Sequence, residues 1–132
     1  MAPTPPPLSR DDVAALPPEE FPRLPLRLVP ASALLELPSN ADELWDAIED
    51  GRPPPGPAPA APPRAVLVWR RGITVIHRTL GPDEAAALRR VHGGGATFGE
   101  VCEALAATSP ADVIGRALEL LLGWLDAEAL AH

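Results

Sequence analysis

Residues 64–130 read RAVLVWRRGITVIHRTLGPDEAAALRRVHGGGATFGEVCEALAATSPADVIGRALELLLGWLDAEAL. Ala65 to Trp69 is rich in β-formers, Arg71-Gly72 is a turn signal, and Ile73 to His77 is a return strand. With Arg71 and Gly72 as the loop, Arg70 faces Ile73, Val68 faces Val75 and Val66 faces His77. Leu67, Trp69, Thr74 and Ile76 take the other side. Both faces are apolar, whereas a sheet covered on one side alternates apolar with polar. The second face therefore needs a cover, either the residues before the hairpin or a partner.

Three helices follow the hairpin. Gly81-Pro82-Asp83-Glu84 starts the first, with proline at the first helical position and acids in the first turn. Leu88 and Val91 point inward, and Gly93-Gly94-Gly95 ends it. Thr97-Phe98-Gly99-Glu100 is a capping box for the second, with Phe98, Val101, Cys102 and Leu105 inward. Ser109-Pro110-Ala111-Asp112 opens the third and longest, again with proline at the first position. Ile114, Ala117, Leu118, Leu121 and Leu125 make one stripe; Val113, Leu120 and Trp124 make a second. An arc that wide exceeds what one small core needs.

The upstream half reads differently. Nineteen prolines crowd mainly into residues 1–30 and 53–63, and such density resists helix and central strand. Residues 1–20 are expected to be a disordered or extended tail, with one helical turn over Asp11 to Leu16. In FPRLPLRLVP, Leu24, Leu26 and Leu28 alternate with Arg23, Pro25 and Arg27, the period of a half-buried edge strand. Leu34 to Leu37 is a second extended piece. Ser39 and Asp42 make a Ser-x-x-Asp start for a short helix with Leu44, Trp45 and Ile48 as its apolar face; Asp50-Gly51 ends it. Residues 52–63 read as a semi-rigid Pro/Ala linker. The expected layout is a 1–20 tail, an edge strand and short helix over 21–51, the linker, and a hairpin plus three-helix unit over 64–132. Residues 21–132 form one α+β domain with a small antiparallel sheet.

Little in this chain performs chemistry. It has one cysteine and three histidines, and its net charge is −7. A lone Cys102 builds neither a disulfide framework nor a zinc site. His77, His92 and His132 show no metal-ligand spacing, so metal and cofactor are both read as none. Asp11-Asp12, Glu19-Glu20 and Asp83-Glu84 read as solvated charge and helix-start electrostatics. Gly93–Gly95 lacks the Lys-Ser/Thr of a phosphate loop. The second and third helices could form a helix-turn-helix, but residues 81–132 hold three arginines against eight acids. DNA binding needs a basic footprint. No signal-peptide core and no bilayer-length apolar run is present, so the expected compartment is the cytoplasm.

The order of pieces resembles the PqqD-like winged-helix unit that recognises leader peptides of ribosomally made natural products (RiPPs). Residues 64–130 resemble the C-terminal domain of the HvfC/BufC family, of which MbnC and TglI are examples. FPRLPLRLVPASALLEL resembles that family's arginine-leucine-x-proline strand, and ADELWDAI its tryptophan-bearing helix. Val29 stands where the family often has histidine. Family members carry an N-terminal helical domain that residues 1–20 do not resemble. The resemblance implies a non-catalytic partner of a multinuclear non-haem iron oxidase of TIM-barrel type, presenting a precursor peptide to it. The peptide adds as a strand to the return strand at Ile73, Val75, His77 and Thr79. Its side chains enter a groove toward the third helix at Val113, Arg116, Ala117 and Leu120. Leu67, Trp69, Ile76 and Trp124 are the expected enzyme-facing patch. A winged-helix DNA-binding or transcription-linked module, and a purely structural partner subunit, are the alternative readings.

Overall fold

The computed structural model describes residues 6–108 and 110–131. The elements in chain order are α1 (Arg10–Ala14), a 3-10 helix (Pro18–Arg23), β1 (Pro25–Leu26), β2 (Ser32–Ser39) and α2 (Ala41–Glu49). Then come β3 (Pro59–Arg71), β4 (Thr74–Thr79), α3 (Pro82–His92), β5 (Ala96–Thr97), α4 (Phe98–Thr108) and α5 (Val113–Asp126). The fold is α+β. One antiparallel sheet has the order β2-β3-β4, and a second pairs β1 with β5.

The hairpin forms with its loop displaced. Arg71 pairs with Thr74, Trp69 with Ile76 and Val68 with His77, so Gly72 and Ile73 are the loop. Gly72 takes φ +64°, and left-handed φ at the first position only is what a type II′ hairpin turn requires. Displacing the register by two residues preserves which side chains share a face.

The face bearing Leu67 and Trp69 packs on the helices, and both residues are buried. The Trp69 indole donates to the Ala127 carbonyl at 3.0 Å. α3 begins with Gly81 as cap and Pro82 first, as the sequence indicates. Thr97 and Glu100 exchange hydrogen bonds at the start of α4, each backbone N–H reaching the other's side chain at 3.2 Å. α5 differs. Its cap is Asp112, at φ 48°, whose carboxylate accepts from the Gly115 N–H. Pro110 thus lies ahead of the helix, and Ser109 falls outside the described residues. The buried stripe of α5 is Ala117, Leu120, Leu121, Trp124 and Leu125, while Ile114, Leu118 and Leu122 face solvent.

Where they are described, the proline-rich segments contribute α1, the 3-10 helix, β1 and the start of β3. Residues 59–63 are not linker but the start of β3, with Ser39 opposite Pro59 across an irregularity after Leu37. β4 reaches only as far as Val66, so this half of β3 has a neighbour on one side and proline is tolerated there. Asn40 anchors the preceding loop: its amide donates to the Gly56 carbonyl at 3.1 Å and accepts from the Ala58 N–H at 2.8 Å.

The expected tail is also folded where it is described. Ser9 and Asp12 form a capping box for α1, Leu8 and Val13 are buried, and Arg10 binds Asp126 on α5 at 2.6 Å. Leu24 and Leu26 are buried as their alternation indicates, but β1 pairs with β5 rather than joining the hairpin sheet. β2, by contrast, is a full partner of β3.

Candidate functional site

β4 is a terminal strand of its sheet, so one side of its backbone is open. The Leu80 N–H donates to the Ala65 carbonyl at 2.9 Å, which makes that pair a hydrogen-bonded one. In an antiparallel ladder such pairs alternate with non-bonded ones. Arg78, Ile76 and Thr74 therefore face β3, and Val75, His77 and Thr79 turn their N–H and C=O groups to the open edge. These are the positions assigned to strand addition from the sequence, joined there by Ile73, which sits in the loop and is 99% exposed.

The side chains of Val75, His77 and Thr79 share the face opposite the helices. α2 covers half of it. Arg64 holds the buried Asp42 with two donors at 2.8 Å, and the Thr79 hydroxyl donates to the same carboxylate. Burial pushes the Asp42 carboxyl up, but the Arg64 and Thr79 hydrogen bonds and the guanidinium charge outweigh it, leaving the group below its ordinary value. Asp42 thus serves the sheet rather than capping its helix, and Ser39 is a strand residue. Trp45 stacks on the His77 ring at 3.8 Å between centroids. Asp46 lies 2.6 Å from His77 Nε2. The sheet's second face is thus covered by the segment before the hairpin. The cover is incomplete: Val75 toward the turn, Leu35 on β2 beside Val66, and Ile48 on α2 are exposed. Ile48 therefore does not join the inward face of α2.

On the opposite face, α5 runs beside β4. A Cβ at Gly123 would lie 3.9 Å from the Arg78 guanidinium, so the helix and the Arg78 side chain are in contact there. Arg71 on β3 binds Glu128, just after α5, at 2.9 Å. Glu84 is buried and accepts from the Trp124 indole at 2.9 Å and from Arg78 at 3.1 Å. Arg116 binds Asp83 at 2.6 Å and Glu119 at 3.0 Å. The Arg116 hydrogen bond and charge hold the Asp83 carboxyl below its usual range despite partial burial. The Asp83-Glu84 pair is therefore structural, not solvated charge.

Several expected site residues stand elsewhere. Leu67, Trp69 and Trp124 are 1–3% exposed and Ile76 is half-buried against the same core. They cannot form an enzyme-facing patch, because the helices already cover that face. Ala117 and Leu120 are also core, and Arg116 is engaged by acids. Val113 is half-buried at the start of α5. Val75 and Ile73 remain accessible by side chain, and His77 and Thr79 by backbone. Sequence reading missed Asp42, Asp46, Glu49 and Trp45 as a group. Their signal was the acidic spacing of four and three along α2, beside a strand containing Arg64.

Among the described residues no buried side-chain polar atom lacks a partner. Burial pushes the Cys102 thiol up, away from thiolate chemistry. His132 lies outside the described residues. No helix among them is long and apolar enough to cross a membrane. Comparison with protein-family models, curated proteins and solved structures finds no match to this chain.

Proposed function

We propose that this chain is a non-catalytic peptide-recognition subunit of RiPP biosynthesis. It binds an extended leader segment by strand addition along β4 and presents the peptide to an iron-dependent oxidase of TIM-barrel type. The class comes from the HvfC/BufC resemblance. The observation that carries the mechanism is the open edge at Val75, His77 and Thr79, three residues whose main-chain groups are already extended and unspent. The exposed Val75 and Ile73 side chains lie beside that edge and offer apolar contact to an added strand. The oxidation chemistry belongs to the partner. The DNA-binding reading loses support at Arg116, the one arginine of α5, because two acids hold its guanidinium.

The test is selection of linear peptides on the purified chain from a displayed library, followed by amide exchange. Bound peptides should slow exchange at Val75, His77 and Thr79. A library that yields no binder, or binders that protect other amides only, would reject strand addition here. Genes for a short precursor and an iron oxidase beside this one would support the pathway assignment, which the exchange experiment does not address.

A further inference from the structure

Asp46, Glu49 and His77 bring one ligand atom each to within 4.8 Å of one another. We propose that they form a binding site for a zinc-like divalent transition ion, independent of the peptide reading. The two acids sit three apart on α2 and so share a helical face; the imidazole reaches them from β4. His77 and Asp46 are 31 residues apart in sequence, with Nε2 and Oδ1 at 2.6 Å.

Three observations separate this group from an ordinary surface ion pair. The His77 side chain is 5% exposed and Asp46 is half-exposed, so a fixed nitrogen meets a carboxylate open to solvent. Trp45 holds two of the three ligands at once. Its ring stacks on His77 at 18° between planes, and its indole donates to Glu49 Oε1 at 2.7 Å. Outer partners of this kind orient ligands before an ion arrives. Finally, a surface pocket of about 360 Å³ lined by Glu43, Asp46, Arg52, Pro53 and Pro55 opens on the Asp46 side of the group, so solvent reaches that ligand; Glu49 and His77 do not line it.

The charge balance favours a dication. Two carboxylates converge on one imidazole, which neutralises at most one of them. Arg52 lines the same pocket but binds Asp50 at 3.0 Å, and Arg64 is committed to Asp42. One nitrogen with two carboxylates suits zinc and its neighbours over the all-oxygen ions magnesium and calcium. Three protein ligands leave a coordination position for water.

The test uses the tag-free full chain. Cobalt(II) should bind one per chain with visible d–d absorption, and zinc should displace it and change tryptophan fluorescence. Asp46→Asn and Glu49→Gln, both at solvent-accessible positions, should keep the circular-dichroism spectrum and weaken binding more than tenfold. Trp45→Phe keeps an aromatic stack but loses the indole donor, and should weaken it about tenfold. Absence of saturable zinc binding up to about 1 mM would overturn the site. So would unchanged affinity in the Asp46 and Glu49 variants, which would put the ion on other ligands.

Discussion

Asp42 is a buried acid on a helix that looks solvent-facing in sequence, held there by Arg64 and Thr79. Its carboxylate is 1% exposed, whereas Arg64 is about one-third exposed. Removing Arg64 leaves the buried carboxylate with the Thr79 hydroxyl but without the guanidinium that neutralises it. Arg64→Ala should therefore cost about 3 kcal/mol, the lower end for an uncompensated buried charge, since water can partly replace the guanidinium. Urea denaturation measures it; a loss under about 1 kcal/mol would mean that water does the work of the pair. The pH dependence follows from the same contacts. Asp42 and Asp83 both have folded values below their unfolded ones. As pH falls, the unfolded chain takes up protons first, near the unperturbed value of about 3.9. The stabilisation is fully present above that value and is lost as pH drops through the folded values. Asp83→Asn should flatten this acid limb, as read from the urea midpoint between neutral and acid pH.

At the scale of elements, β4 offers a clean probe of its own edge. The Val75 N–H points away from β3, so Val75→Pro deletes an outward donor and leaves the internal ladder intact. The variant should fold and bind a selected peptide about tenfold more weakly, the worth of one or two hydrogen bonds. His77→Pro is the poorer choice because His77 also anchors α2 through Trp45 and Asp46. The 52–63 segment makes an opposite prediction from its composition. Replacing residues 59–63 with Gly/Ser should lower the melting temperature, because β3 begins there. Asn40→Ala should cost about 1–2 kcal/mol, since it unties two buried hydrogen bonds. The hairpin and α3 to α4 were legible in sequence because caps, period and turn residues all act locally. Pairing was not. A two-residue period marks Leu34–Leu37 as a strand without naming its neighbour, and prolines at 59, 62 and 63 hid a strand that needs a partner on one side only.

For the whole molecule, the sheet and the helical layer are closed by the two ends of the described chain. Leu8 N–H donates to the Leu130 carbonyl at 2.9 Å, and the Ala131 N–H donates to the Arg27 carbonyl at 2.7 Å. Leu8→Ala should cost about 2–3 kcal/mol as a large-to-small core change, a test by thermal melting of whether the first described residues belong to the fold. The sequence hid this closure for the same reason it hid the His77–Asp46–Glu49 group: each joins short, weakly patterned pieces far apart. The edge was expected on the second strand of the hairpin, and β4 is terminal because β2 pairs with β3 instead, a choice the local pattern does not make. The expected enzyme-facing patch was misplaced because an apolar residue looks the same in sequence whether a partner or the chain's own helix covers it.

That clasp has a kinetic side. Residues 129–131 lie as a thread between residues 7–8 on one side and 27–29 on the other, and Arg10 finds Asp126 across 116 positions. On a ribosome, everything upstream emerges first and waits with Leu8, Leu26 and Leu28 uncovered. Closure therefore arrives late and depends on contacts of high sequence separation, which slow folding. Local elements such as the hairpin and α3 to α4 can assemble before it. The waiting surface is apolar and adjoins open backbone edges, so nascent chains should be most vulnerable to mispairing with one another during the interval before residue 130 arrives.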